Sequence, residues 1–178
     1  MKQFFFDTEF MEQDGHVELL SIGVVRRDER GMESTYLVNS DADHSKANEF
    51  VQEHVIPYLL ETKCGVSPCV APMSKIAEFL EQFLDGDGKW EAWAYYADYD
   101  WVAFCSLWGR MVDLPKQMPF LCMDVKQYAH HVGATREDMP NDDADEHHAL
   151  VDARWTMRAY DALCGMDEGK RAKQETPA

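Results

Sequence analysis

Positive charge is scarce in this chain: 17 lysines and arginines stand against 33 aspartates and glutamates over 178 residues, a formal net charge of −16. A general grip on nucleic acid comes from Lys and Arg neutralising phosphates, so this balance excludes tight, sequence-independent duplex binding. A polyanion could be handled only if bound metal cancelled charge locally and contacts extended over a few nucleotides. Long apolar runs are missing too, and none approaches the ~20 residues needed to cross a bilayer, which predicts no membrane partner. Cysteine is present without a disulfide framework: Cys64, Cys69, Cys105, Cys122 and Cys164 are odd in number, and the first two have no matching Cys/His pair for zinc. The N-terminus lacks the basic-then-apolar-then-small pattern of a secretory signal, which predicts a reduced, cytoplasmic protein. Repeats and low-complexity segments are absent as well. With 46% hydrophobic residues, the chain is read as one domain around one core, residues 1–164, followed by a polar, disordered tail, 165–178.

What the chain does contain is a pair of acids at the end of an apolar run, Phe4-Phe5-Phe6-Asp7-Thr8-Glu9-Phe10. Strand side chains alternate faces, so Asp7 and Glu9 project together, within reach of one shared cation. Burying two like charges costs several kcal/mol unless something neutralises them, and a divalent ion that prefers oxygen ligands does so. The bland alternative is an edge strand with one wet face, against which the surrounding aromatics argue.

Periodicity places the other elements. Strands are expected at 2–11, 17–25 and 32–38, forming an antiparallel meander, with the first hairpin turning at Asp14-Gly15. A helix bent at Pro57 is expected over 45–60, a loop over 64–72, and an amphipathic helix over 73–84. An aromatic strand, 90–96, leads to Asp98 as the cap of a helix ending at Gly109. A last buried strand at 120–123 precedes a helix capped by Asp124. A long acidic loop, 133–145, leads to a final helix from about 148 to 164. The expected fold class is therefore α/β, a mixed five-stranded sheet, part antiparallel meander and part parallel, flanked by helices.

Two further acids stand near helix starts, Asp100 after the aromatic strand and Asp152 in the last helix. Taken singly, each also reads as a first-turn acid complementing a helix dipole. Four converging carboxylates would suit two magnesium ions clamping a scissile phosphate. His147 adds a side chain that exchanges a proton near neutral pH. Five residues at ~100° each leave His147 and Asp152 roughly 140° apart on a straight helix, so His147 is expected in the loop before it. His148 is an eligible neighbour.

Phe-Asp-Thr-Glu-Phe at 6–10, Tyr-Asp at 99–100 and His147-x4-Asp152 together resemble the three motifs of the DEDDh 3′–5′ exonucleases. The longer string Asp7-Thr8-Glu9-Phe10-Met11-Glu12-Gln13-Asp14-Gly15-His16, running on through Val25, is similar to the RNase AS family of polyadenylate-specific 3′-exoribonucleases, as are Trp93, the run 100–109 and the run 149–154. The resemblance implies a ribonuclease H-like fold. It implies Asp7, Glu9, Asp100 and Asp152 as ligands of two Mg²⁺ ions, with Mn²⁺ as substitute, and His147 as general base. It further implies single-stranded RNA, read from a 3′ end that is adenylate-rich, as the substrate, nucleoside monophosphates as products, and a homodimer. Phe10, Met11 and His16 are the candidates for surrounding the terminal nucleotide, core packing being the competing job for Phe10. Arg154 and Arg158 share a helical face and are candidates for phosphate. Residues 39–89 carry no motif of the family. A DNA 3′–5′ exonuclease of the same superfamily and a noncatalytic nucleic-acid-binding relative are the alternatives.

Overall fold

The computed structural model describes residues 2–13, 15–141 and 147–175. Asp14 of the expected turn, part of the acidic loop and the last three residues of the tail lie outside that set. A six-stranded sheet is built from β1 (Gln3–Gln13), β2 (His16–Asp28), β3 (Gly31–Asn39), β4 (Cys69–Ala71), β5 (Glu91–Ala94) and β6 (Cys122–Asp124). Their order across the sheet is β4-β3-β2-β1-β5-β6. The first three strands are antiparallel, whereas β4, β5 and β6 join in parallel. Among the described residues, five α-helices flank the sheet: α1 (Glu49–His54), α2 (Met73–Phe83), α3 (Asp98–Ser106), α4 (Val125–His131) and α5 (Ala149–Glu175).

β1 is central, hydrogen-bonded on both edges and covered on both faces, which explains three consecutive phenylalanines with no exposed surface. Alternation sends Phe4 and Phe6 to the face packed by α2 and α3, where they meet Ile76, Leu80 and Phe104. Phe5 goes to the opposite face, against Leu150, Ala153 and Leu163 of α5. Each such burial contributes about 2–3 kcal/mol. By the same parity Asp7 and Glu9 follow Phe5 onto the α5 face, and Thr8 follows Phe6 towards α3. A register shift between Glu9 and Phe10 leaves Leu20 as an extra residue on β2. Bulges of this kind re-aim side chains beside functional sites.

Several expectations need correction. The 64–72 segment contains β4, paired with Leu37–Asn39 of β3, so the sheet has a sixth strand. A three-residue edge strand has too little pattern to be read locally. The 45–60 helix breaks into α1 between two 3-10 turns, because Asn48 caps α1 by accepting from the Val51 amide at 2.9 Å and Pro57 interrupts the turn after it. Asp98 lies inside α3 rather than capping it, and Ala97 occupies the cap position. The last strand is a sheet edge, and Phe120 and Leu121, expected to be buried, are 56% and 67% exposed. α5 does not stop near Cys164 but continues through Glu175 into the expected tail. Met166 packs on the core there, and the Tyr128 hydroxyl donates to Asp167 at 3.3 Å, tying the extension to α4.

Candidate active site

β1 pairs with β5 only over Gln3–Phe5, then runs on past the end of β5, where the chain turns into α3. Asp7 and Glu9 therefore stand at the carboxyl edge of the parallel strands, the place where open α/β sheets leave a crevice. A cleft of about 340 Å³ opens there, lined by Asp7, Thr8, Glu9, Phe10, Tyr95, Tyr96, Tyr99, Asp100, His147 and Asp152. The four acids and the histidine singled out from the sequence are thus brought together.

Asp7, Glu9 and Asp152 each offer a carboxylate oxygen within 4.8 Å of the others. Asp152 reaches them because α5 begins directly over β2. Gly23, paired with Asp7 in the sheet, has the space of its missing side chain filled by the α5 backbone. A Cβ there would lie 2.3 Å from the Leu150 Cα and 2.4 Å from the Ala149 carbonyl carbon. Asp100 approaches from α3 and is held differently: its Oδ1 accepts from the Thr8 amide at 2.9 Å and the Thr8 hydroxyl at 2.6 Å. The N-terminus of α3 is fixed in turn by Asp124, which accepts from the Ala97 amide at 3.0 Å while capping α4.

Crowding of carboxylates shows in their protonation. Burial, then the charges of Asp100, Asp152 and Glu9, hold the Asp7 carboxyl well above the usual range. Burial and the charges of Asp152 and Asp100 push Glu9 up to about 8. Asp100 rises only to about 6, since the Thr8 hydrogen bonds oppose its burial. An all-oxygen donor set that repels itself in this way fits hard divalent cations such as magnesium.

His147 sits in the turn before α5, as expected, with its backbone in the left-handed region at φ 68° and its side chain exposed on the cleft. His148 points the other way. It is buried against the Tyr36 ring at 4.2 Å, and burial lowers its pKa. Phe10 lines the cleft and stacks on Tyr99, with ring centres 5.5 Å apart and planes 6° from parallel. The other two substrate candidates are not brought to the cleft. Met11 is 2% exposed and belongs to the core on the α5 face, because a long apolar side chain fills that gap at less cost than it lies in water. His16 is exposed at the start of β2, outside the cleft lining. Arg154 turns to β3, donating to the Ser34 hydroxyl at 2.8 Å.

A profile of the Rv2179c-like 3′–5′ exoribonuclease domain matches residues 2–164. The chain belongs to that family. It is 38% identical over 172 residues to the 3′–5′ exoribonuclease Rv2179c of Mycobacterium tuberculosis strain H37Rv, covering 95% of this chain and 97% of that protein. The same figures hold for the 3′–5′ exoribonuclease MT2234.1 of strain CDC 1551 / Oshkosh. Among solved structures, the nuclease domain of 3′hExo, a DEDDh family member bound to rAMP, superposes with a TM-score of 0.56 at 14% identity, over 94% of this chain and 92% of that one. The fold is that of a DEDDh, ribonuclease H-like nuclease, and this member of the exoribonuclease family is a nuclease enzyme.

Thr8 and Tyr99 stand within the quoted motifs without an assigned role, and Tyr95, Tyr96 and Gly23 are not singled out from the sequence. Gly23 left a signal, an isolated glycine within a strand, which often marks a close backbone approach. Tyr95 and Tyr96 left none, since aromatics after a strand serve a core equally well.

Proposed function

We propose that this protein is a metal-dependent 3′–5′ exoribonuclease that shortens single-stranded RNA one nucleotide at a time, with a preference for adenylate-rich ends. The observation that carries the reading is the gathering of Asp7, Glu9 and Asp152 oxygens within 4.8 Å of one another, beside Asp100 and His147 in one cleft. The four carboxylates would hold two magnesium or manganese ions. When bound, those ions supply Lewis-acid charge to the scissile phosphate and to both oxygens of the displacement.

The protein's own groups do the rest. His147, unprotonated, takes a proton from the water that attacks the terminal phosphorus. The bond from phosphorus to the 3′ oxygen of the preceding nucleotide breaks, and that oxygen takes a proton from solvent. The products are a nucleoside 5′-monophosphate and a chain one residue shorter with a free 3′ hydroxyl. Thr8 keeps Asp100 ionised and aimed, and the stacked Phe10–Tyr99 pair offers an aromatic wall to an unstacked base. A wall of that kind suits single strands, which explains how so acidic a protein handles RNA through short-range contacts.

Five free cysteines fit a reducing cytoplasm, and among the described residues no helix is long and apolar enough to cross a membrane. The proposal includes a homodimer, for which the exposed Phe120 and Leu121 beside edge strand β6 offer apolar surface.

One digestion series tests the reading. Wild type and Asp7→Asn are incubated with the four homopolymeric RNAs and with oligo(dA), in Mg²⁺ or in EDTA, and products are resolved by length. Stepwise shortening of oligo(A) by the wild type alone, abolished by EDTA and reduced ~10⁴-fold in the variant, is expected. Full turnover by Asp7→Asn would remove the assigned roles. Faster digestion of oligo(dA) would favour the DNA exonuclease, and no product on any polymer would favour a noncatalytic binder.

A further inference from the structure

Phe50 is a large aromatic on the first turn of α1, and it is 51% exposed although the core lies one residue away at buried Val51. Its ring meets the His147 ring edge to face, with centres 5.2 Å apart and planes at 87°. His54, one helical turn on, leans against Phe50 at 5.0 Å and stands 6.4 Å from His147, so three rings close a triangle at the cleft rim. The platform beneath is stiff. The Asn48 cap fixes the start of α1, the Gln52 amide donates to the Ala47 carbonyl at 2.7 Å, and Val51 and Val55 anchor the helix in the same core as α5.

His147 otherwise sits at the end of a connection in a left-handed backbone conformation that non-glycine residues rarely adopt. A general base acts only when its nitrogen is held within hydrogen-bond reach of the proton it removes, and small misplacements are costly. We propose that Phe50, buttressed by His54, is a positioning residue that holds the His147 imidazole over the cleft. The inference rests on the reading of His147 as base. It gives α1, from a stretch that carries no family motif, a part in the reaction.

Because Phe50 is exposed, its replacement leaves the fold intact. The test measures kcat and KM on oligo(A) with Mg²⁺ for wild type, Phe50→Ala, Phe50→Tyr, His147→Ala and the Phe50→Ala/His147→Ala double variant. Phe50→Ala is expected to lower kcat ~10-fold with KM within about 2-fold. Phe50→Tyr, which keeps the ring, restores the rate. In the His147→Ala background the Phe50 change has no further effect, since there is no longer a ring to position. A Phe50→Ala rate equal to wild type overturns the proposal. So does an effect confined to KM, or one undiminished in the double variant, either of which places Phe50 on the substrate itself. An unaltered His147→Ala enzyme instead removes the reading of His147, and this inference with it.

Discussion

The two walls of the cleft treat their acids in opposite ways. On the α3 side, Asp100 is buried yet supplied with two hydrogen bonds from Thr8, and its carboxyl rises only to about 6. On the α5 side, Glu9 faces Asp152 and Asp100 and reaches about 8, and Asp7 is likewise raised by burial and three like charges. One wall is satisfied by its own hydrogen bonds, whereas the other gathers acids that only protons or the proposed cations would satisfy. Preorganisation and stored repulsion thus divide a single site. In the proposed metal site the first would aim a ligand, and the second would provide the affinity that a cation satisfies.

The sharpest way to break the contrast is to move the α5 wall. Gly23→Ala places a Cβ against the backbone of Leu150 and Ala149, which must shift α5 and carry Asp152 away from Asp7 and Glu9. Activity should fall ~10²-fold, with a weaker Mg²⁺ requirement curve and about 1–3 kcal/mol of lost stability. A variant with wild-type Mg²⁺ dependence would show that α5 has freedom the structure does not display.

A smaller change makes the organised wall resemble the frustrated one. Thr8→Val keeps the amide donor to Asp100 and removes the hydroxyl, a bond to a charged acceptor worth about 1.5 kcal/mol, so a ~10-fold loss at neutral pH is expected. The carboxyl then rises, and the loss should shrink as pH increases. A pH-independent deficit would place the effect of Thr8 elsewhere.

The smallest expected signal is in stability. Asp7 and Glu9 have folded pKa values above their ordinary ones of 3.8 and 4.5, so between about pH 4 and about pH 8 the folded state binds more protons than the unfolded chain. Their contribution to stability is complete below that window and is lost as pH rises through it. Melting of the metal-free protein, followed by scanning fluorimetry, should show this loss, and Mg²⁺ should raise Tm by more at pH 8 than at pH 5. An equal Mg²⁺ shift at both pH values would mean that the carboxyls are already ionised at the lower one.

Legibility in the sequence followed the range of the interactions. Asp7 and Glu9 could be read as neighbours because a strand repeats every two residues, and the meander because its turns are local. Asp124 was legible as a cap for the same reason. β4 was not, because its register is set by β3, about thirty residues away. The run of α5 past Cys164 was not legible either, because Met166 and Asp167 find their contacts on the core and on α4 rather than within the helix.

The resemblance of the motif strings, not local geometry, joined a helix-start acid and a nearby histidine to the first pair; alternation and local turns alone determined that two carboxylates share one face of a buried strand and that the sheet is mixed. Those last two facts live within single turns and strands, where backbone geometry leaves few choices. Tertiary structure decided that α5 rests on Gly23 so that Asp152 joins Asp7, that Thr8 holds Asp100, that His147 rather than His148 faces the cleft, and that Phe50 stands against it. Those are packing outcomes between segments far apart in the chain, where many arrangements satisfy the local pattern and only close contact selects one.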